Sequence, residues 1–104
     1  MALVTLSPRA AAQIDRCRDF YSEGDPAIGV RAITAILAAF KPLTRHPMIG
    51  RPVPEDASLR ELVIPFGHHG YVALYKFSPE TKTVMILAVR HQREAGYHGQ
   101  AGKF

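Results

Sequence analysis

Residues 59–91 decide the fold of this chain, and they read LRELVIPFGHHGYVALYKFSPETKTVMILAVRH. The stretch holds three runs rich in β-branched, aromatic and aliphatic residues, at 59–66, 71–78 and 83–91. Short segments containing glycine, histidine and proline separate these runs. Apolar runs bounded by turn residues are typical of strands joined by hairpins. The stretch therefore predicts an antiparallel meander of three strands.

Two amphipathic helices are predicted before the meander. A serine–proline pair and an aspartate–proline pair each combine an N-cap residue with a proline suited to the first helical turn. Apolar residues then recur at helical spacing. The elements predicted here are a strand at 2–6 and helices at 8–23 and 25–41. Because only a short turn at Gly24 joins the helices, they are expected to pack as an antiparallel hairpin.

The segment 42–58 is predicted to be a loop. Four prolines and one glycine make both a helix and a paired strand unfavourable there, namely Pro42, Pro47, Gly50, Pro52 and Pro54. The element order is then β-α-α-β-β-β. We predict an α+β fold in which an α-helical hairpin covers one face of an antiparallel sheet. The expected core of the sheet comprises Leu62, Ile64, Ala73, Tyr75 and alternate residues of 83–89.

Length, composition and charge narrow the class of protein. At 104 residues, 47% hydrophobic and 21% charged, the chain is predicted to form one globular domain over 1–104. Thirteen Lys and Arg against nine Asp and Glu give a formal charge of +4, which favours an acidic partner, either nucleic acid or protein. The tail at 98–104 is expected to be mobile unless a partner orders it.

The compartment also follows from composition. The single cysteine, Cys17, cannot form an internal disulfide, which indicates a reducing compartment. The longest apolar stretch, 29–40, is interrupted by Arg31 and is shorter than the roughly 20 residues of a membrane span. The N-terminal residues lack the charged and apolar regions of a signal peptide. We therefore expect a cytoplasmic protein that does not bind membranes.

Neither metal binding nor cysteine catalysis is predicted. Side chains of the adjacent His68 and His69 point to opposite sides of an extended segment, and no third ligand is spaced to complete a site. They are interpreted as part of a polar hairpin turn. Cys17 lies on the apolar stripe of the first helix, where a small buried hydrophobe is expected. We expect no metal and no cofactor.

Six short motifs together resemble the RelE/ParE superfamily of bacterial toxins. They occur in the order SPRA at 7–10, DP at 25–26, GRP at 50–52, REL at 60–62, GYVALY at 70–75 and VRHQRE at 89–94. The resemblance implies the toxin of a type II toxin–antitoxin, or plasmid stabilisation, module that a cognate antitoxin neutralises. It also implies a target. RelE-like members cleave mRNA on the ribosome, whereas characterised ParE-like members inhibit DNA gyrase.

The residues favour the ParE-like branch. RelE-like nucleases resemble one another in carrying basic side chains on the open face of the sheet, one of them directly after the Gly-Tyr of the central strand. Here that position is Val72, and Val63 and Pro65 stand where the nuclease pattern has lysines. Cleavage at a 2′-hydroxyl needs a base, an acid and cations held in place. The protein is therefore expected to inhibit gyrase and not to be an enzyme, with the ribosome-dependent endoribonuclease as the alternative.

The C-terminal cluster carries the remaining candidates for chemistry. If the protein is a nuclease, the catalytic residues are Arg90, His91, Arg93 and Tyr97. The predicted target-binding residues are Arg60, Lys76, Arg90, His91 and Arg93. The alternative for the run at 90–93 is a solvated strand end.

The second helix is apolar over more than one stripe, so its extra face needs a cover. The alternatives are the sheet and an antitoxin. Antitoxins of these systems resemble one another in wrapping an extended, often acidic segment around the toxin, which suits a basic chain and implies a hetero-oligomeric complex. The predicted antitoxin-binding residues are Val30, Ile33, Ile36, Leu37 and Phe40.

Overall fold

One five-stranded sheet and a helical pair make up the computed structural model, which describes residues 1–22, 24–67 and 70–92. In chain order the elements are β1 (Leu3–Leu6), α1 (Pro8–Ser22), α2 (Pro26–Phe40), a 3₁₀ helix (Lys41–Thr44), β2 (Arg51–Val53), β3 (Asp56–Ile64), β4 (Tyr71–Ser78) and β5 (Thr83–His91). The predicted helices and the meander are therefore present, and the α+β class is confirmed.

Both helices begin where the capping residues predict. The Oγ of Ser7 accepts a hydrogen bond from the N–H of Ala10 at 3.0 Å, at the start of α1. At the start of α2, the Oδ1 of Asp25 accepts one from the N–H of Ala27 at 3.0 Å. Each side chain satisfies a donor that the first turn of a helix leaves without a backbone partner.

The sheet is mixed, with the strand order β1-β5-β4-β3-β2. Strands β2 to β5 pair antiparallel in succession, as the meander predicts. Strand β1 pairs with β5 in the parallel direction, so the prediction of an entirely antiparallel sheet needs this correction. The direction of β1 is set by how the helical hairpin returns the chain across the sheet. The residue pattern of a short strand does not indicate that direction.

The predicted loop at 42–58 is the second correction. It begins with the 3₁₀ helix and contains β2, in which Pro52 lies opposite Arg60 of β3. Strand β3 also begins at Asp56, three residues before the predicted run. An edge strand is hydrogen-bonded on one side only, so it tolerates a proline that lacks an N–H. The rule that excludes proline from strands holds for central strands and was wrong for this edge.

The core lies between the helical hairpin and one face of the sheet. Three residues predicted to be buried, Ile64, Ala73 and Tyr75, are at most 1% exposed, and Leu62 is half-buried against them. The helices contribute Ile14 and other apolar side chains to the same cluster. The sheet side of the core is composed of Ile64, Tyr71, Ala73, Tyr75, Val84, Ile86 and Val89, and the helical side of Ala10, Ile14, Ile36 and Phe40.

The stretch Pro26–Thr44 is long and apolar enough to cross a membrane by length and composition alone. In the fold, however, its Ile36, Phe40 and Leu43 are almost fully buried in the core cluster. A helix that covers a sheet needs this apolar composition. The composition of Pro26–Thr44 is thus accounted for by the core on one side of α2 and by an exposed stripe on the other.

Candidate functional site

The sheet has a second face, which points away from α1 and α2, and three rows of side chains cross its central strands. The register of β3, β4 and β5 aligns these rows as Val63–Val72–Arg90, Glu61–Leu74–Ala88 and Leu59–Lys76–Met85. The predicted alternation of β4 is therefore correct. It places Val63 and Val72 beside Arg90, at positions where the nuclease pattern has basic side chains.

The centre of this second face is closed to solvent. Val72 is 2% exposed and Leu74 is 1% exposed, so the sequence-based expectation of an open face is wrong at its centre. Lys76 is exposed, and Arg90 is half-buried. Since Lys76 lies four residues along β4 from the partner of Arg90, the two rows are about 13 Å apart. These two cations do not converge on one phosphate-sized site.

Arg90 and His91 point to opposite faces. His91 lies opposite Tyr71 on the side of the helices, and their rings meet edge-on at 5.6 Å with an interplanar angle of 87°. Arg90 lies opposite Val72 on the second face, with its Nη1 3.4 Å from the carbonyl oxygen of His91. The predicted nuclease cluster is therefore divided by the sheet. Its other members, Arg93 and Tyr97, lie outside the described residues.

Arg60 holds a loop against the sheet. Its Nη1 donates to the carbonyl oxygens of Met48 at 3.1 Å and Gly50 at 2.6 Å. The N–H of Gly50 in turn donates to the Oη of Tyr75 at 2.8 Å. These contacts join the loop at 46–50 to β3 and β4, and we refer to them as the Gly50 junction. They indicate a structural role for Arg60, which the sequence assigned to target binding.

The Gly50 junction leaves no room for a side chain at Gly50 and keeps the phenol of Tyr75 protonated. A Cβ on Gly50 would lie 2.7 Å from the carbonyl oxygen of Glu61 and from the Cε1 and Oη of Tyr75. Burial raises the pKa of the Tyr75 phenol, and the hydrogen bond from Gly50 and the charge of Arg60 only partly oppose this. The phenol is therefore protonated at physiological pH and serves as a structural hydrogen-bond acceptor.

Helix α2 divides into a buried and an exposed apolar stripe. Ile36 and Phe40 are 0% and 4% exposed and belong to the core, which restricts the predicted antitoxin surface. Ile33 is half-buried against the same cluster. Val30 and Leu37 are 60% and 45% exposed and lie two helical turns apart on one side. These two side chains form the exposed stripe of α2.

No cluster of three or more potential metal ligands occurs within residues 1–22, 24–67 and 70–92. Cys17 is half-buried against the core cluster, where the sequence predicted a small hydrophobe. His68 and His69 lie outside the described residues.

Sequence reasoning missed two polar side chains that contact β5. The Oγ of Ser7 donates to the carbonyl oxygen of Leu87 at 2.9 Å, and the Oε1 of Gln13 accepts from the N–H of Val89 at 2.7 Å. Gln13 is only 5% exposed, although glutamine is mostly a surface residue. Helical spacing alone gives no signal for such a contact, because the partner lies 76 residues away.

A comparison with known proteins identifies the class of this chain. The family described as the ParE toxin of the type II toxin–antitoxin system parDE matches residues 4–96. Over 94 residues, the chain is 35% identical to Toxin RelE3 of Caulobacter vibrioides, an alignment that covers 90% of this chain and 98% of that protein. The chain therefore belongs to the ParE toxin family, and it is the toxin of a type II toxin–antitoxin system.

Solved structures agree with this assignment. A chain of the chromosomal ParDE toxin–antitoxin system from P. aeruginosa has a TM-score of 0.71 and 26% identity, and the match covers 91% of this chain and 98% of that one. A chain of the RelBE2 toxin–antitoxin complex from Mycobacterium tuberculosis has a TM-score of 0.62 and 27% identity, covering 86% and 96%. These relatives support an antitoxin as the partner of this chain.

Proposed function

We propose that this toxin inhibits DNA gyrase in the cytoplasm by protein–protein contact and that a cognate antitoxin neutralises it. Relatives named for both RelE and ParE match the chain, so family membership does not choose the target. The choice rests on the chemistry of the second face. Gyrase inhibition is the activity that the resemblance to characterised ParE-like toxins implies.

The row Val63–Val72–Arg90 is the observation that supports this choice. An enzyme that cleaves RNA at the 2′-hydroxyl must stabilise the developing negative charge on phosphorus and transfer two protons. Aliphatic side chains at 63 and 72 supply neither cations nor proton-transfer groups. Arg90 and His91 lie on opposite faces and so cannot act together on one phosphate. A contact surface for a protein target requires no such convergence.

The exposed stripe of α2 is the proposed antitoxin surface. Val30 and Leu37 present apolar area to solvent on a chain with a formal charge of +4. An extended acidic segment with apolar anchors would bury these side chains and complement the charge. The complex of toxin and antitoxin is then a hetero-oligomer.

Purified toxin tests the proposed target directly. We expect it to inhibit supercoiling by gyrase and to leave ribosome-bound mRNA intact. Arg90→Ala should weaken inhibition about tenfold, since we expect removal of a half-buried cation from a protein contact to cost about 1.4 kcal/mol. Arg16→Ala is the matched control, because it removes the same charge from an exposed position on α1.

The same two assays can overturn the proposal. Cleavage of mRNA that depends on ribosomes, together with normal supercoiling, would assign the protein to the endoribonuclease branch. Equal losses of inhibition for Arg90→Ala and Arg16→Ala would show that net charge, rather than contact at the second face, determines the effect on gyrase. Where the toxin inhibits gyrase, addition of the antitoxin encoded beside it should restore supercoiling.

A further inference from the structure

Strand β5 contains an extra residue. Tyr75 of β4 lies opposite Ile86, but the next residue on β4, Leu74, lies opposite Ala88. The register therefore skips Leu87 and forms a β-bulge. A bulge changes which face the following side chains point to, because side chains alternate along a strand with a period of two.

The bulge occurs where β5 loses its neighbour β1. The parallel pairing ends with Leu6 opposite Ile86, and the N–H of Ser7 makes the last backbone bond on that side, to the carbonyl oxygen of Ile86. From there onward, side chains replace the missing strand. The Oγ of Ser7 donates to the carbonyl oxygen of Leu87, and the Oε1 of Gln13 accepts from the N–H of Val89.

The contact with Gln13 selects the bulged register. In a regular strand, every second residue directs its N–H to the same side, so the series after Val84 and Ile86 would continue with Ala88. The N–H that reaches Gln13 belongs instead to Val89. In the regular register this N–H would point towards β4, leaving the buried amide of Gln13 without that donor. An unsatisfied buried polar group is costly, so the buried glutamine stabilises the bulge.

The register determines the face to which Arg90 points. With the bulge, Arg90 lies opposite Val72 on the second face, and His91 lies opposite Tyr71. If the pairing of Tyr75 with Ile86 continued without a bulge, Arg90 would instead lie opposite Tyr71. Tyr71 is 1% exposed in the core beneath the helices, so the regular register would direct a cation into that core.

We propose that Gln13 is a positioning residue of the toxin: by accepting the N–H of Val89, it holds β5 in the bulged register and thereby presents Arg90 on the second face. The inference rests on the proposed function for the use made of Arg90. The register itself is independent of any target. Because Gln13 is only 5% exposed, its effect on the target is expected through Arg90 and not through direct contact.

Two near-isosteric variants separate the hydrogen bond from overall stability. Gln13→Met removes the acceptor and keeps an apolar side chain of similar length. Gln13→Glu keeps an acceptor oxygen in either protonation state but destabilises the fold by burying an acid. We expect Gln13→Glu to keep the bulge and its inhibitory activity despite a lower melting temperature. Gln13→Met should lose both.

The register can be read by NMR without an activity assay. Because the N–H of Val89 points away from β4, Ala73 and Val89 form a pair whose Hα atoms face each other closely. We expect a strong Hα–Hα contact between Ala73 and Val89 in the wild-type protein and in Gln13→Glu. In Gln13→Met it should be replaced by a contact between Ala73 and Ala88.

A wild-type register without the bulge, or an unchanged register in Gln13→Met, overturns the proposal. If Gln13→Met does not fold, the test rests on Gln13→Glu, and loss of the bulge in that variant overturns the proposal.

A double-mutant cycle tests the action through Arg90. Gln13→Met should raise the toxin concentration needed for half-inhibition about tenfold in the wild-type background and less than about twofold in the Arg90→Ala background. Equal effects in both backgrounds, or losses that follow melting temperature in both Gln13 variants, contradict positioning. Wild-type protein with the Ala73–Val89 contact that does not inhibit gyrase would contradict the proposed function alone. The cycle is then measured on growth arrest.

Discussion

The Gly50 junction and the exposed stripe of α2 differ in what their side chains contact. At the junction, the guanidinium of Arg60 and the phenol of Tyr75 hydrogen-bond to the backbone of the loop, and Gly50 approaches the sheet too closely for any side chain. On α2, Val30 and Leu37 are exposed to solvent, at 60% and 45%. The first region stabilises the isolated toxin, whereas the second contributes little until a partner covers it.

This difference separates residues that act on folding from residues that act on binding. Substitutions at the junction should change the free energy of unfolding and leave contact surfaces intact. Substitutions on the stripe should do the reverse. Exposed apolar side chains contribute little to the free energy of unfolding, but they contribute to the free energy of binding when a partner buries them. Three variants test this separation, and a fourth, Asp56→Asn, lies outside both regions; they follow in order of decreasing expected effect.

Gly50→Ala is expected to lower the free energy of unfolding by about 3 kcal/mol, since the new Cβ would overlap backbone and a buried ring. Urea denaturation measures the loss. The matched control is Gly24→Ala, where a Cβ would meet no atom of the described chain within 4 Å. The control should be neutral or slightly stabilising. Similar losses for both variants would show that the junction is no tighter than the interhelical turn.

The double substitution Val30→Ser with Leu37→Ser is expected to weaken antitoxin binding about 30-fold, equivalent to about 2 kcal/mol of lost apolar burial. The melting temperature of the free toxin should change little, because both side chains are already exposed. Calorimetric titration with the antitoxin encoded beside the toxin measures the affinity. Ala38→Ser, also exposed on α2, is the control. Unchanged affinity of the double variant would place the antitoxin on another surface.

Arg60→Met is expected to lower the free energy of unfolding by about 1.5 kcal/mol, because two loop carbonyls lose a charged donor. Gyrase inhibition, assayed where the variant is fully folded, should match that of the wild type. Lys76→Met removes an exposed cation from β4 and should leave stability unchanged. Normal stability with lost inhibition for Arg60→Met would return Arg60 to target binding, as the sequence predicted.

Asp56→Asn is expected to have the smallest effect, because this carboxylate is fully exposed. Hydrogen bonds from the side chain and N–H of Ser58 lower the pKa of Asp56 below its ordinary value of 3.8. A lowered pKa in the folded state stabilises the fold above the ordinary value, and the contribution is lost as the pH falls through the folded value. Melting temperatures of both proteins should therefore differ slightly at neutral pH and converge in strong acid. A difference that grows with acidity would contradict this assignment.

Local patterns predicted most of the fold correctly. The capping residues Ser7 and Asp25 marked both helix starts, and the alternation along β4 correctly divided its side chains between the helical face and the second face. Strand β2 was missed because the rule applied to Pro52 ignored that an edge strand needs hydrogen bonds on one side only. The structural use of Arg60 was missed because its acceptors are backbone carbonyls of a loop, which no side-chain pattern reports.

The sequence by itself determined the order of helices and strands, because helical and strand periodicities are properties of a few neighbouring residues. It also determined the apolar second face, through Val63 and Val72. Tertiary structure decided the parallel direction of β1 and the buried half of α2. It also decided the face of Arg90, since the alternation of β5 is reset at Leu87, where Ser7 donates a hydrogen bond to Leu87 and Gln13 accepts one from Val89. Those bonds join residues more than 70 positions apart, and only the folded chain brings them within reach.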